Sequence, residues 1–156
     1  MRVLLLTLFV AMLTGCSNPP EAPSDGSAAA AAAIAAAVAA PSRSAENSSR
    51  DEYRHPAETL MFFGLTPETS VVELWPGGGW YTEIIAPVVR DNGKYYAAHV
   101  DPESNVEMLR KSAESYRAML DASPELYDQV EMTVLMPPTQ LDIAPPGSVD
   151  LVVSFR

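Results

Sequence analysis

The residues best placed for chemistry are an acid, a glycine run and a second acid: Glu73-Leu74-Trp75-Pro76-Gly77-Gly78-Gly79, then Asp101. Three consecutive glycines let a backbone approach a ligand with no Cβ in the way, and they permit the positive φ of a tight turn. The run follows the β-rich stretch Ser70 to Trp75, so the glycines fall at the carboxyl end of a strand. In an open α/β sheet ligands bind there, where backbone amides at the next helix start meet negative or polar groups. Taken alone, the glycines also fit an ordinary connection, and Asp101 before Pro102 also fits a turn. The spacing is not Gly-x-Gly-x-x-Gly and no Gly-Lys-Ser/Thr follows, which tells against a nicotinamide dinucleotide and a P-loop. Trp75, Trp80 and Tyr81 read as core or rim aromatics, although a ring face also attracts a cation. His55, before Pro56, reads as structural rather than as a proton acceptor, and His99 as packed or exposed within a strand. No residue is assigned a catalytic role, and no metal site is expected.

These groups need elements to position them. His55 to Gly64 carries a proline in a first turn and a glycine at the stop, which predicts a short helix. Thr66-Pro67-Glu68-Thr69 turns the chain into a central first strand, Ser70 to Trp75. Trp80 to about Val89 reads as a helix that Pro87 must bend or shorten, and Asp91-Asn92-Gly93 as a turn. Lys94 to Val100 is a second strand that leads into Asp101-Pro102. Ser104 and Glu107 stand in capping-box spacing ahead of a helix whose apolar positions are Val106, Leu109, Ala113, Tyr116 and Leu120. Val130 to Met136 is a third strand, stopped by Pro137-Pro138, and Val149 to Phe155 a fourth. The alternation predicts an α/β fold, a three-layer Rossmann-like parallel sheet.

With these elements in place, the residues become familiar. An acid-x-x-x-Gly-x-Gly pattern at one strand end and an acid at the next resembles class I S-adenosylmethionine-dependent methyltransferases. Arg54-His55-Pro56, together with Val72-Glu73-Leu74-Trp75-Pro76-Gly77-Gly78-Gly79-Trp80-Tyr81-Thr82-Glu83, is similar to a bacterial family of methyltransferases whose members are often exported. The resemblance covers the chain from about Arg50 to its last residue, and the Trp-Pro-Gly-Gly-Gly-Trp-Tyr core is its most specific part. It implies S-adenosyl-L-methionine as cofactor, with Glu73 near the amino-acid part, Gly77, Gly78 and Gly79 along the methionine and ribose portion, and Asp101 accepting from the ribose hydroxyls. Two positions depart from the wider pattern. Trp75 stands where glycine is usual, so the strand is expected to leave the loop differently. Pro137-Pro138 stands where an adenine-contacting acid is common, and Asp142 lies further on, which leaves adenine recognition unassigned.

The N-terminus reads as an address and a tether. Met1-Arg2, an apolar run from Val3 to Met12 and then Leu13-Thr14-Gly15-Cys16 form a signal-peptide pattern. The run falls short of the roughly 20 residues that a membrane-spanning helix takes. The last four residues resemble a bacterial lipobox, which implies a lipidated Cys16 as the mature N-terminus, and Ser17 after it resembles proteins sent to the periplasmic face of the outer membrane. Cys16 is the sole cysteine, so no intramolecular disulfide competes for it. Residues 1 to 15 thus read as a lipoprotein signal peptide. Residues 16 to 50, rich in Ala, Pro and Ser, read as a disordered spacer with no apolar face wide enough to bury, and 51 to 156 as the methyltransferase domain.

Charge narrows the partners. The chain carries 20 acidic and 10 basic side chains, a net charge of -10, and residues 1 to 50 hold three of each. The whole excess therefore lies on the domain, where it repels phosphate backbones and makes nucleic acid an unsuitable partner. A small-molecule cofactor and a membrane reached through the lipid anchor are the expected partners, with the methyl acceptor unassigned. The resemblance also implies further strands beyond Val149 to Phe155, so the chain reads as a cofactor-binding half, incomplete after its fourth strand and with little turnover by itself. An exported protein is remote from a cofactor made in the cytoplasm, which keeps open a non-catalytic, membrane-anchored binding lipoprotein on the same scaffold, and on fold alone a nicotinamide oxidoreductase.

Overall fold

A computed structural model describes residues 25–155. Cys16 and the signal-peptide pattern lie outside the described residues. In chain order the elements are α1 (Asp25–Val38), α2 (Ala45–Ser48), α3 (Asp51–Arg54), α4 (Pro56–Phe62), β1 (Ser70–Leu74), α5 (Thr82–Val89), β2 (Lys94–His99), α6 (Glu107–Asp121), α7 (Pro124–Tyr127), β3 (Val130–Val134) and β4 (Leu151–Val153). The four strands form one all-parallel sheet in the order β3-β2-β1-β4. This is the expected α/β, Rossmann-like arrangement. The chain winds outward from β1 through β2 to β3, then crosses back to place β4 on the other side of β1. The order therefore reverses at the β1/β4 boundary, where an open sheet of this type has its ligand crevice.

Period-two alternation sends each strand's side chains to opposite faces. Val71, Tyr95 and Ala97 join Ile84, Ile85, Tyr116 and Leu120 in the main core beneath the helices. Val72, Tyr96, Ala98 and Leu135 form a smaller cluster on the other face, covered by Ile143, Ala144 and Val149 of the irregular return from β3 to β4. Helix α5 is almost wholly buried and carries Pro87 within it. At the turn before β2, a Cβ on Gly93 would lie 2.4 Å from the Thr69 carbonyl oxygen and 2.8 Å from that of Pro67. No side chain fits there, so this turn requires glycine.

Of the spacer expected at residues 16 to 50, the structure corrects the part it describes, from Asp25 onward. From Asp25 to Val38 the alanine tract is a helix, with Ile34 fully buried and Ala30 and Ala37 nearly so. It packs on α4 and α5. The stripe Ala30, Ile34, Ala37 is narrow, but small side chains bring the helix close to its neighbours and Ile34 fills the remaining depth. Tertiary packing supplies the stability that an isolated alanine helix lacks. The folded unit thus takes in residues from Asp25 onward, and not only those from Asp51.

Other boundaries shift for local reasons. Ser104 and Glu107 do not form a capping box. Helix α6 has Val106 at its N-cap without a side-chain cap bond, while Ser104 Oγ accepts from the Val106 amide at 3.2 Å and closes a small turn ahead of it. Helices α2, α3 and α7 are single turns too short for a periodic signal. Among the described residues no helix is long and apolar enough to cross a membrane.

The burial of Ile34 predicts that Ile34→Ala destabilises the domain by about 3 kcal/mol in urea unfolding, the usual cost of emptying a core site of this size. A change below about 0.5 kcal/mol, as at an exposed position, would return the segment to the role of spacer.

Candidate functional site

Glu73 lies near the carboxyl end of β1 with its side chain on the helical face, 2% exposed. A carboxylate there needs a partner. The phenol of Tyr95 donates to Glu73 Oε2 in a short bond. Tyr95 in turn shares a 3.0 Å hydrogen bond with Thr82 Oγ1 at the start of α5, and Thr82 shares another of 3.0 Å with the hydroxyl of Tyr116 on α6. This buried chain joins β1, β2, α5 and α6 directly below the glycine turn. Burial pushes the Glu73 carboxyl up to about 7, against the downward pull of the Tyr95 hydrogen bond. The phenols of Tyr95 and Tyr116 are pushed up as well, chiefly by burial, so both remain neutral donors.

The turn itself is held from below by His99. The Val100 amide donates to Nδ1 at 2.9 Å, which leaves the ring proton on Nε2 to donate to the Gly77 carbonyl at 3.1 Å. Burial lowers the pKa of this imidazole, and its ring stacks on Tyr116 at 4.9 Å between centroids. His99, read from sequence as merely packed or exposed, is the residue that ties the end of β2 to the turn.

Trp75 itself takes the left-handed conformation, with φ 51, where glycine would be the usual choice. The strand therefore leaves through the backbone region that glycine favours, despite the large side chain. The cost is offset by two bonds: the Trp75 amide donates to the Ala98 carbonyl at 2.8 Å, and the indole N–H reaches the Leu135 carbonyl, past the end of β3, at 3.2 Å. Gly77 and Gly79 follow with φ 62 and φ 85. The glycines then divide in role. A Cβ on Gly77 or Gly78 would meet nothing within 4 Å, whereas one on Gly79 would lie 2.3 Å from Met119 Cε and 3.3 Å from the Tyr116 ring. Gly79 lets α6 close on the turn, while Gly77 and Gly78 face open space. Among the described residues nothing accepts a hydrogen bond from the amides of Gly77 and Gly78.

Asp101 lies two residues beyond His99, half-buried past the end of β2. Its Oδ1 accepts from the Glu103 amide at 2.8 Å, an Asx turn that fixes the carboxylate and leaves Oδ2 uncommitted among the described residues. Glu73, the glycines and Asp101 are thus assembled at the carboxyl ends of adjacent strands. Asp142 is not: it is exposed and shares a surface hollow with Thr133, Ile143 and Ala144 on the other face. Among the described residues no group of three His, Cys, Asp or Glu gathers as metal ligands would.

Trp80, Tyr81, Thr82 and Glu83 turn out to fasten the turn to its surroundings. The Trp80 indole donates to the Asn47 carbonyl at 2.9 Å, and its ring lies under the guanidinium groups of Arg43 and Arg54, 5.4 and 4.9 Å from the centroid. Tyr81 stacks on Phe155 at 3.5 Å. Glu83 accepts from the Ser44 amide and lies 3.7 Å from buried Arg43, which also makes a bidentate pair with Asp51. Sequence reasoning missed this clamp because Arg43 fell in the supposed spacer. It also missed Tyr95, although the alternation that sends Glu73 inward leaves Tyr95 and His99 as the polar residues on the same face of β2.

Fold and turn together define an open parallel α/β domain with a glycine-rich turn at its strand-order reversal. No family model and no curated protein matches the chain. A solved structure of cofactor-bound Rv0187 from MTB is similar, with 25% identity and a TM-score of 0.47 over 84% of this chain and 53% of that one. The chain spans about half the length of that protein.

Buried Glu73 predicts a pH-dependent stability. The folded state holds its proton more tightly than the unfolded chain, where the carboxyl ionises near 4.5, so the contribution is fully present below that pH and is lost as pH rises to about 7. The loss amounts to about 3 kcal/mol. His99, with its lowered pKa, acts in the opposite sense, so the comparison with Glu73→Gln isolates the acid. Urea unfolding between pH 5 and 8 is expected to show the downward slope relative to Glu73→Gln. Parallel profiles for the two proteins would refute it.

Proposed function

We propose that the chain is the cofactor-binding part of an S-adenosylmethionine-dependent methyltransferase, carried on a lipid anchor at Cys16 in the cell envelope, on the periplasmic face of the outer membrane. One observation carries the reading: an open glycine turn at the strand-order reversal, with a fixed carboxylate past the end of the adjacent strand. The donor set suits the group. The free amides of Gly77 and Gly78 match a carboxylate, and the uncommitted oxygen of Asp101 matches paired ribose hydroxyls. Glu73, buried below the turn and bonded to Tyr95, fixes the floor on which the amino-acid part would rest. When bound, the cofactor supplies an electrophilic methyl group on sulfur. The chain's residues fix its position, and for such a transfer the holding of donor and acceptor in line is a main source of rate. The resemblance of the Trp-Pro-Gly-Gly-Gly-Trp-Tyr segment supports the same conclusion, and the signal-peptide pattern ending in Cys16 supports the anchor.

Titration calorimetry with S-adenosylhomocysteine is expected to show binding that Asp101→Ala weakens at least about tenfold, the equivalent of 1.4 kcal/mol, with unfolding stability little changed. Binding of a nicotinamide dinucleotide in its place, or equal affinity in wild type and Asp101→Ala, would contradict the assignment.

A further inference from the structure

We propose that the tip of α4, formed by Met61, Phe62 and Phe63, is a membrane-facing surface that rests on the headgroup region of the bilayer holding the domain. The proposal rests on the reading of Cys16 as a lipid anchor and adds the face that the anchored domain presents.

Helix α4 meets its packing needs through Pro56 and Leu60, which are buried. The next three side chains turn outward, with Met61 44%, Phe62 85% and Phe63 43% exposed. Phe62 is the most exposed large hydrophobic residue among those described. The rings are not loose. Phe62 meets Phe63 edge to face at 5.6 Å, Phe63 meets Phe155 at 6.1 Å, and Phe155 stacks on Tyr81. Gly64, at φ 75, ends the helix and turns the chain away just past the tip. The result is a preformed apolar prominence backed by the core, not a pocket.

Two observations identify a lipid surface as its occupant. The first is where the tether arrives. Gly26, Ser27 and Ala30 at the start of α1 line one groove with Met61, Gly64 and Leu65, so the N-terminal segment enters the domain beside the tip. Cys16 stands nine positions before Asp25, a stretch that reaches at most about 30 Å when fully extended. An anchor on so short a lead keeps this end of the domain toward the bilayer. The second is charge. The protein carries a net charge of -10, yet residues 59–67, which form the tip and the turn after it, contain no charged side chain, and the exposed acids Glu58 and Glu68 stand at the borders of that stretch. Aromatic side chains are favoured at the boundary between lipid and water, and a tip whose own three side chains are uncharged enters the headgroup region while the flanking acids stay in water. A weak apolar contact of this kind suffices as the second of two attachments.

The test uses the full chain purified from the envelope, reconstituted into phosphatidylcholine vesicles and recovered by flotation, with a nitroxide on Phe62→Cys or, as a reference, on the exposed Glu125→Cys of α7. A lipidated Cys16 takes no label. The expected result is that oxygen relaxes the nitroxide at 62 several-fold more effectively, relative to a water-soluble nickel chelate, than the one at 125. Equal accessibility to the chelate at both positions would overturn the proposal. So would a nitroxide at 62 shielded from both relaxants, since that marks a protein partner or a second copy on the tip. A protein that fails to float overturns the proposal together with its premise, and a Cys16 that accepts the label identifies the anchor as the step that failed.

Discussion

A carboxylate buried under a glycine turn is the constraint around which this domain is arranged. Glu73 lies on the inward face of the central strand, so ionising it without a partner would cost several kcal/mol. The sequence answers with a phenol, a hydroxyl and a second phenol in series, each on a different element. Because each bond depends on the placement of the next, α5 and α6 are located relative to β1 and β2 by polar contacts as well as by apolar burial. His99 completes the arrangement from the stacked side, with one ring nitrogen accepting from the Val100 amide just past β2 and the other committed to the Gly77 carbonyl. The turn is therefore preorganised, and among the described residues the amides of Gly77 and Gly78 are left without an acceptor.

A second set of charges fixes the same turn from outside. Buried Arg43 sits between Asp51 and Glu83 and over the Trp80 ring, so the segment between α1 and α4 is pinned to the first turn of α5. A buried cation left with one carboxylate would be costly, so these residues are interdependent. Docking of α1 through Ile34 brings Arg43 to this position. The N-terminal helices thus act as a brace for the glycine turn, and the residues after the glycines, Trp80 through Glu83, serve as the points where that brace is attached.

Much of this was legible in the sequence, and the failures have physical causes. The strands, their parallel direction and the glycine turn followed from β-branched runs, punctuation by glycine and proline, and alternation with helices, whereas the order β3-β2-β1-β4 came only from the structure. Asp101 was found at its place because a strand end and a turn are both local signals. The alanine tract misled because hydrophobic periodicity weighs side-chain size, whereas α1 packs by close approach around the single Ile34. Trp75 misled in another way. Residue preference argued for an altered exit from β1, but two hydrogen bonds from one tryptophan hold it in a conformation that glycine would adopt freely. Arg43, Thr82 and Tyr116 carried no warning, because their role depends on contacts between elements distant in sequence.

The central claim is that a nucleoside-bearing ligand lies across the carboxyl ends of β1 and β2. The most direct measurement is an amide chemical-shift titration of the isotope-labelled protein with S-adenosylhomocysteine. Saturable shifts concentrated at Gly77, Gly78, Val100 and Asp101, with little change along β3 and α7, are the expected result. No saturable shift at the turn, or shifts confined to the face built by Ile143, Ala144 and Val149, would contradict it.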